Sequence, residues 1–170
     1  MIPTNFYMYF VAALIPMIIG ATYYHPKVLG NAWMKSNGFT MESLQGGNMS
    51  VIMGTAYLLS FILAFGMTGS VIHQVNVGSL FMPEVMEPGS AIQQEFNELM
   101  VKYGGRFRTF PHGMLHGFIN ALFFALPVIG INAAFERRGW KYVLIHFGYW
   151  AITLMLMGGL LCATLEFGGL

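Results

Sequence analysis

Charged side chains are scarce in this chain of 170 residues. Lys, Arg, Asp and Glu together make up 9% of it, and aspartate is absent. A soluble domain carries about 25% charged residues, so this composition excludes a water-soluble globular surface. The formal net charge is only +1, which provides no basic surface for nucleic acid, and we expect no nucleic-acid partner. A single cysteine, Cys162, excludes an intrachain disulfide.

Long apolar runs are abundant, since 56% of the residues are hydrophobic. A helix needs about 20 mostly apolar residues to cross a bilayer, and backbone groups in lipid must satisfy their own hydrogen bonds. The sequence therefore predicts an all-α, integral membrane four-helix bundle, a single transmembrane domain over residues 1–170 surrounded by the lipid bilayer. The four spans, which contain no Lys, Arg, Asp or Glu, are expected at about 6–24, 49–72, 113–135 and 142–165.

The connection after the first span has the composition of a membrane boundary. Tyr23, Tyr24 and Trp33 are aromatic residues of the kind that favour the headgroup level. Pro26 suits the first turn of a new helix. We therefore expect a short interfacial helix from about Pro26, ended by Gly38.

The loop between the second and third spans contains an amphipathic segment at about 90–103. Ser90 and Gln93 have the spacing of a capping box at its start, and glycines follow its end. The sequence predicts a helix that lies on the membrane interface or caps the bundle, and a lid over a cavity is the alternative function. Its apolar stripe consists of Ile92, Phe96, Leu99, Met100 and Tyr103.

Positive charges give an orientation. Five lie in the loops after the first and third spans, and three lie in the loop between the second and third. The positive-inside rule then places both termini on the non-cytoplasmic side of the cell inner (plasma) membrane.

Small residues recur at every fourth position of the second span, at Ala56, Ser60, Ala64 and Thr68. Small side chains let helices approach closely in lipid, so this stripe predicts a helix contact rather than a ligand site.

The best candidate for chemistry is "HGMLHGFIN", which places His112, His116 and Asn120 near one helix face. Two histidines four residues apart can share a metal ion, and the predicted topology brings His73 and Glu166 to the same membrane side. No cofactor is predicted, because a hydrogen-bonded structural role accounts for a lone pair of this kind. Metal or haem binding is the alternative, and its candidate metal residues are His112, His116, His73 and Glu166.

Three stretches resemble one known family. They are "HPKVLGNAWMK" at His25–Lys35, "NAAFERRGWK" at Asn132–Lys141 and "GYWAITLMLMGGLL" at Gly148–Leu161. Their order is similar to that in a bacterial family of small four-helix integral membrane proteins, catalogued only as a domain of unknown function. The resemblance implies a fold and a bacterial inner-membrane location, and it implies no activity and no site residues.

Three functions are left open by the sequence. We expect a non-catalytic protein that associates with itself as a homo-oligomer or serves as an accessory subunit of a larger membrane complex, because no nucleophile, nucleotide or phosphate-binding motif is found and no enzyme activity is expected. The first alternative is a small-molecule or ion transporter or channel. The second is a metal- or haem-binding membrane protein that uses His112 and His116.

Overall fold

The computed structural model describes residues 3–168, and this part of the chain is all-α, with a lone β-bridge between Pro3 and Phe167. Its α-helices are α1 Met8–Ala12, α2 Ile15–Tyr23, α3 Asn31–Asn37, α4 Met49–Val71, α5 His73–Leu80, α6 Ala91–Tyr103, α7 Phe110–Asn120, α8 Leu126–Phe135 and α9 Trp140–Thr164. Shorter π-helical turns cover Pro26–Gly30 and Ala121–Ala125, and a 3₁₀ turn covers Glu84–Met86.

Within residues 3–168, three helical segments are long and apolar enough to cross a membrane: α4, the continuous run Phe110–Phe135, and α9. Their bounds agree with the predicted spans to within three residues. The first predicted span does not form one helix. It divides into α1 and α2, and it meets the same test only together with the segment Pro26–Asn37, toward which it bends by 58°.

Pro16 explains the division of the first predicted span. It lies at the start of α2, and a proline removes one backbone donor and clashes with the carbonyl four residues earlier. That earlier residue is Ala12, the last residue of α1. Pro127 stands in the same relation to Phe123, which lies in the π-helical turn between α7 and α8.

Two of the shorter helices, α3 and α6, follow the predicted signals. α3 ends at Gly38, whose φ of 73° is left-handed and favours glycine. In α6, the Ser90 hydroxyl accepts from the Gln93 amide, and the Gln93 side chain accepts from the Gly89 amide. The helix α5 was not predicted from the sequence.

α9 lies at the centre of the bundle, and α7 is its closest neighbour. A β-carbon on Gly113 would overlap the carbonyl of Gly158, and one on Gly117 would overlap the carbonyl of Leu154. The two helices therefore touch through their backbones. The predicted small-residue stripe of α4 is also confirmed as a packed face, because Ser60, Ala64 and Thr68 are buried; the fourth member, Ala56, is half-buried.

The two ends of the described chain are paired with each other. The Thr4 amide donates to the Glu166 carbonyl at 2.7 Å, and the Asn5 side chain donates to the Thr164 carbonyl at 2.7 Å. The segment that precedes α1 therefore lies beside the carboxyl end of α9.

Candidate metal centre

Three histidines meet at one end of the bundle. The nearest ring nitrogens of His73, His112 and His116 all lie within 4.8 Å of one another. The Nε2 atoms of His73 and His112 are 3.1 Å apart, and the ring centroids of His112 and His116 are 4.6 Å apart. His73 is exposed and the other two are half-buried. We call these residues the three-His cluster.

Backbone features hold each histidine in place. His73 is the first residue of α5 and follows the buried Ile72, whose extended backbone separates α4 from α5. His112 lies in the first turn of α7, where its amide donates to the Thr109 hydroxyl that caps the helix. His116 lies one turn further along the same face of α7.

The ring of Phe107 packs against one member of the three-His cluster. Its ring stacks on His112 with a centroid separation of 5.0 Å and an angle of 21°. Its φ is 61°, a left-handed conformation that is rare for a bulky side chain and persists only where surrounding contacts impose it. The ring that orients His112 is therefore held at a cost in backbone energy.

Several hydrogen bonds hold the backbone around Phe107, and the Thr109 amide donates to the Phe107 carbonyl at 2.9 Å. The buried Gln74 donates to the carbonyl of Arg106 at 2.8 Å. Cys162 in α9 donates its thiol proton to the carbonyl of Phe107 at 3.4 Å. The Arg108 side chain donates to the carbonyl of Cys162 at 2.8 Å and also to that of Leu165.

Arg108 also completes the carboxyl end of α9. A cation at this position interacts favourably with the helix dipole and satisfies terminal carbonyls. Burial lowers the pKa of the Arg108 guanidinium from its ordinary value, while the neighbouring Cys162 acts in the opposite direction. An arginine keeps its charge across the physiological range, so the contact between Arg108 and the carboxyl end of α9 does not depend on pH there.

A cavity of about 300 Å³ adjoins the cluster beneath α6. His73 and Phe107 form part of its wall, and Leu99, Met100 and Tyr103 of α6 cover it. The amphipathic helix therefore forms part of the wall of this open cavity, and its two predicted roles, capping the bundle or closing a lid, stay predictions.

Glu166, the fourth candidate ligand from the sequence, is not a member of the group of residues that forms the cluster. It follows α9, where its backbone pairs with Thr4 and Asn5. A ligand role for Glu166 stays a prediction.

Asn120 makes a hydrogen bond between two helices. Its side chain donates to the Ser70 hydroxyl at 2.7 Å, so it links α7 to α4, although the sequence places it near one helix face with His112 and His116. Elsewhere in the chain, His146 is 3.2 Å from the Tyr24 hydroxyl and His25 caps the turn that begins at Pro26.

Two features of the site were missed from the sequence. The first is Phe107, for whose positive φ no signal was found in the sequence. The second is the glycine pair on α7, for which a signal exists: Gly113 and Gly117 have the small-xxx-small spacing of close helix contacts.

Three imidazole nitrogens at one point can ligate a transition-metal ion. Zinc–nitrogen distances of about 2.0–2.1 Å in tetrahedral geometry imply nitrogen–nitrogen separations of about 3.3 Å. The 3.1 Å between His73 and His112 is close to that value, and the remaining nitrogen separations do not exceed 4.8 Å. Three protein ligands leave a fourth position for water or another ligand.

Comparison with known proteins gives a family and nothing further. The family model described as "Protein of unknown function (DUF1761)" matches residues 7–162. The chain belongs to this family. No curated protein and no solved structure matches it. The resemblance inferred from the sequence motifs is thus confirmed as membership of a family of unknown function, which assigns no activity.

Proposed function

We propose that this protein is a multi-pass membrane protein that binds a divalent transition-metal ion at the three-His cluster. The observation that carries the proposal is the approach of three ring nitrogens to within 4.8 Å of one another, although His73 is 39 residues away from His112. Imidazole suits zinc, copper, nickel and iron.

Two observations support a membrane location with four crossings. Three helices are long and apolar enough to span, and the segment Met8–Asn37 passes the same test as a bent pair, either a broken span or a re-entrant loop; we propose that it is the fourth crossing. The pairing of Thr4 with Glu166 keeps the two ends of the described chain together, which requires an even number of crossings. The excess of positive charge in the loops at the other end of the bundle favours termini on the non-cytoplasmic side of the plasma membrane.

The proposed role is metal binding rather than catalytic turnover. Hydrolytic metal sites pair the metal ion with a general base, commonly a glutamate. Among residues 3–168, no carboxylate or cysteine joins the three histidines in the cluster. The cluster therefore offers a place to hold a metal ion and an open coordination position.

The test measures metal bound to detergent-purified protein after saturation with Zn²⁺ and removal of the excess. We expect about one ion per chain, and we expect His116→Ala to lose it. His146→Ala is the matched control, because it removes a half-buried histidine at the other end of α9 and should leave the bound metal intact. Equal metal content in the two variants, or none in the parent protein, contradicts the proposal.

Self-association or membership of a larger complex is the second candidate function. A groove of about 660 Å³ opens between α4, α8 and α9, and its wall is almost entirely apolar, including Ile62, Phe124, Val128 and Trp150. Cross-linking in native membranes tests this candidate, since a product containing this chain and a second protein, or two copies, supports it. The transporter alternative stays a prediction.

A further inference from the structure

We propose that the metal ion at the three-His cluster binds an oxyanion, a phosphate or a carboxylate, at its open position, with Arg106 as the second contact of that anion. This inference rests on the proposed metal site. It adds a ligand class, and it assigns a role to the cavity under α6.

The cavity has room for such a ligand. Its volume is about 300 Å³, and one water molecule occupies about 30 Å³ in the liquid. His73 and Arg106 both line it, so it contacts one metal ligand and one guanidinium.

Arg106 is exposed at the cavity wall and lies beside two aromatic rings. Its guanidinium carbon is 5.6 Å from the ring centroid of Tyr103 and 5.8 Å from that of Phe107. Phe107 in turn stacks on His112 at 5.0 Å. A guanidinium stacked in this way keeps its N–H groups available at its edge, where they bind carboxylate or phosphate in a bidentate manner.

The charge around the cavity is unbalanced. In the part of the chain that the structure describes, the one ion pair joins Arg138 to Glu136 at the other end of the bundle, so Arg106 has no carboxylate partner there. No acidic side chain lines the cavity. A bound divalent cation would add to the positive charge of Arg106, and an anion is the ligand that neutralises both.

Two sources of this anion share the same chemistry. The cavity lies where α4 ends and α7 begins, and both helices belong to segments apolar enough to cross a membrane. A free oxyanion reaches this level from solution, and the phosphate of a lipid headgroup reaches it from the bilayer.

The experiment uses the full-length protein loaded with Co²⁺, whose visible absorption reports its coordination. Phosphate is titrated into the parent protein, into Arg106→Gln and into Arg137→Gln, a matched control at the other end of the bundle. We expect phosphate to change the spectrum of the parent and of the control to saturation. In Arg106→Gln we expect phosphate affinity to fall about tenfold or more, while Co²⁺ affinity is not reduced because Arg106 supplies no ligand to the metal.

The outcomes separate the two proposals. If the parent protein does not bind Co²⁺, both the proposed function and this inference are wrong. Stoichiometric Co²⁺ with a spectrum insensitive to phosphate, or with the same phosphate affinity in both arginine variants, overturns this inference alone.

Nanodiscs distinguish the sources of the anion. A spectral change in phosphatidic acid discs without added phosphate assigns the site to a lipid headgroup. A change only when phosphate is added, in phosphatidylcholine and phosphatidic acid discs alike, assigns it to a soluble anion. Either result supports the site, and no change in any disc overturns it.

Discussion

The Nε2 atoms of His73 and His112 lie 3.1 Å apart at the junction of α4, α5 and α7. Without a metal, one ring donates a hydrogen bond to the other. With a metal, both nitrogens become ligands, and His116 supplies the third. The two arrangements differ in a measurable way, because only the second couples the stability of the protein to the concentration of a metal ion.

The first prediction follows from this coupling. Zn²⁺ at about 100 times its Kd should stabilise the folded protein by about 2.7 kcal/mol, seen as a rise in the thermal unfolding temperature in detergent that a chelator reverses. His116→Ala should abolish the rise, and His146→Ala should retain it. If Zn²⁺ has no effect on the parent while His116→Ala lowers its stability in the absence of metal, the cluster is a hydrogen-bonded structural network.

A second prediction concerns the ring that stacks on His112. Phe107→Ala should weaken Co²⁺ binding by about tenfold, since groups that orient metal ligands contribute 10–100-fold in affinity. Phe135→Ala is the matched control, because Phe135 is 88% exposed at the far end of α8. Unchanged Co²⁺ affinity in Phe107→Ala, measured by titration of the absorption spectrum, would mean that the ring does not position His112.

The backbone of Phe107 gives a third prediction. At a φ of 61°, an L-residue pays about 1–2 kcal/mol that glycine does not. Phe107→Gly should therefore unfold at a higher temperature than Phe107→Ala, although both lose the ring and should bind Co²⁺ equally weakly. A lower unfolding temperature for Phe107→Gly would show that the left-handed conformation carries no such cost.

Most of the helices and much of the candidate site could be predicted from the sequence, and a different physical signal made each of them predictable. The length of the apolar runs predicts α4 and α9, because a helix that crosses a membrane must be long. Ser90 predicts the start of α6 and Gly38 the end of α3, because serine caps a helix and glycine adopts a left-handed φ. His112 and His116 are detectable because four residues make about one helical turn. His73 was included among the candidate metal ligands only because the predicted topology places it on the same side of the membrane as His112 and His116.

The parts that sequence reasoning missed depend on contacts between distant residues. The carbonyl of Phe107 accepts from Cys162, which is 55 residues away, and the distant Gln74 donates to the carbonyl of the neighbouring Arg106. Asn120 was grouped with His112 and His116 because the three lie near one helix face, whereas its hydrogen bond goes to the hydroxyl of Ser70 on α4. No local pattern distinguishes these outcomes.

The contact between α7 and α9 gives the fourth prediction. A β-carbon on Gly117 would overlap the backbone of Leu154, so Gly117→Ala should destabilise the protein by roughly 1–3 kcal/mol or more through overpacking. Gly130→Ala is the control, because a β-carbon there meets nothing within 4 Å and alanine is the better helix former. Equal unfolding temperatures for the two variants would be inconsistent with a backbone contact at Gly117.

The last prediction concerns orientation, which also decides the compartment from which the metal ion comes. Glu95 is exposed on α6 at the end that carries the three-His cluster, and Arg137 is exposed between α8 and α9 at the other end. The native Cys162 is fully buried, so the parent protein provides a low background for thiol labelling. An impermeant reagent added to intact cells should label Glu95→Cys and should not label Arg137→Cys, because the positive-inside rule places the arginines in the cytoplasm. Labelling of both after the membrane is opened shows that each cysteine is accessible. The reverse pattern in intact cells would invert the predicted topology and place the three-His cluster on the cytoplasmic side, where it would meet the cytoplasmic metal pool.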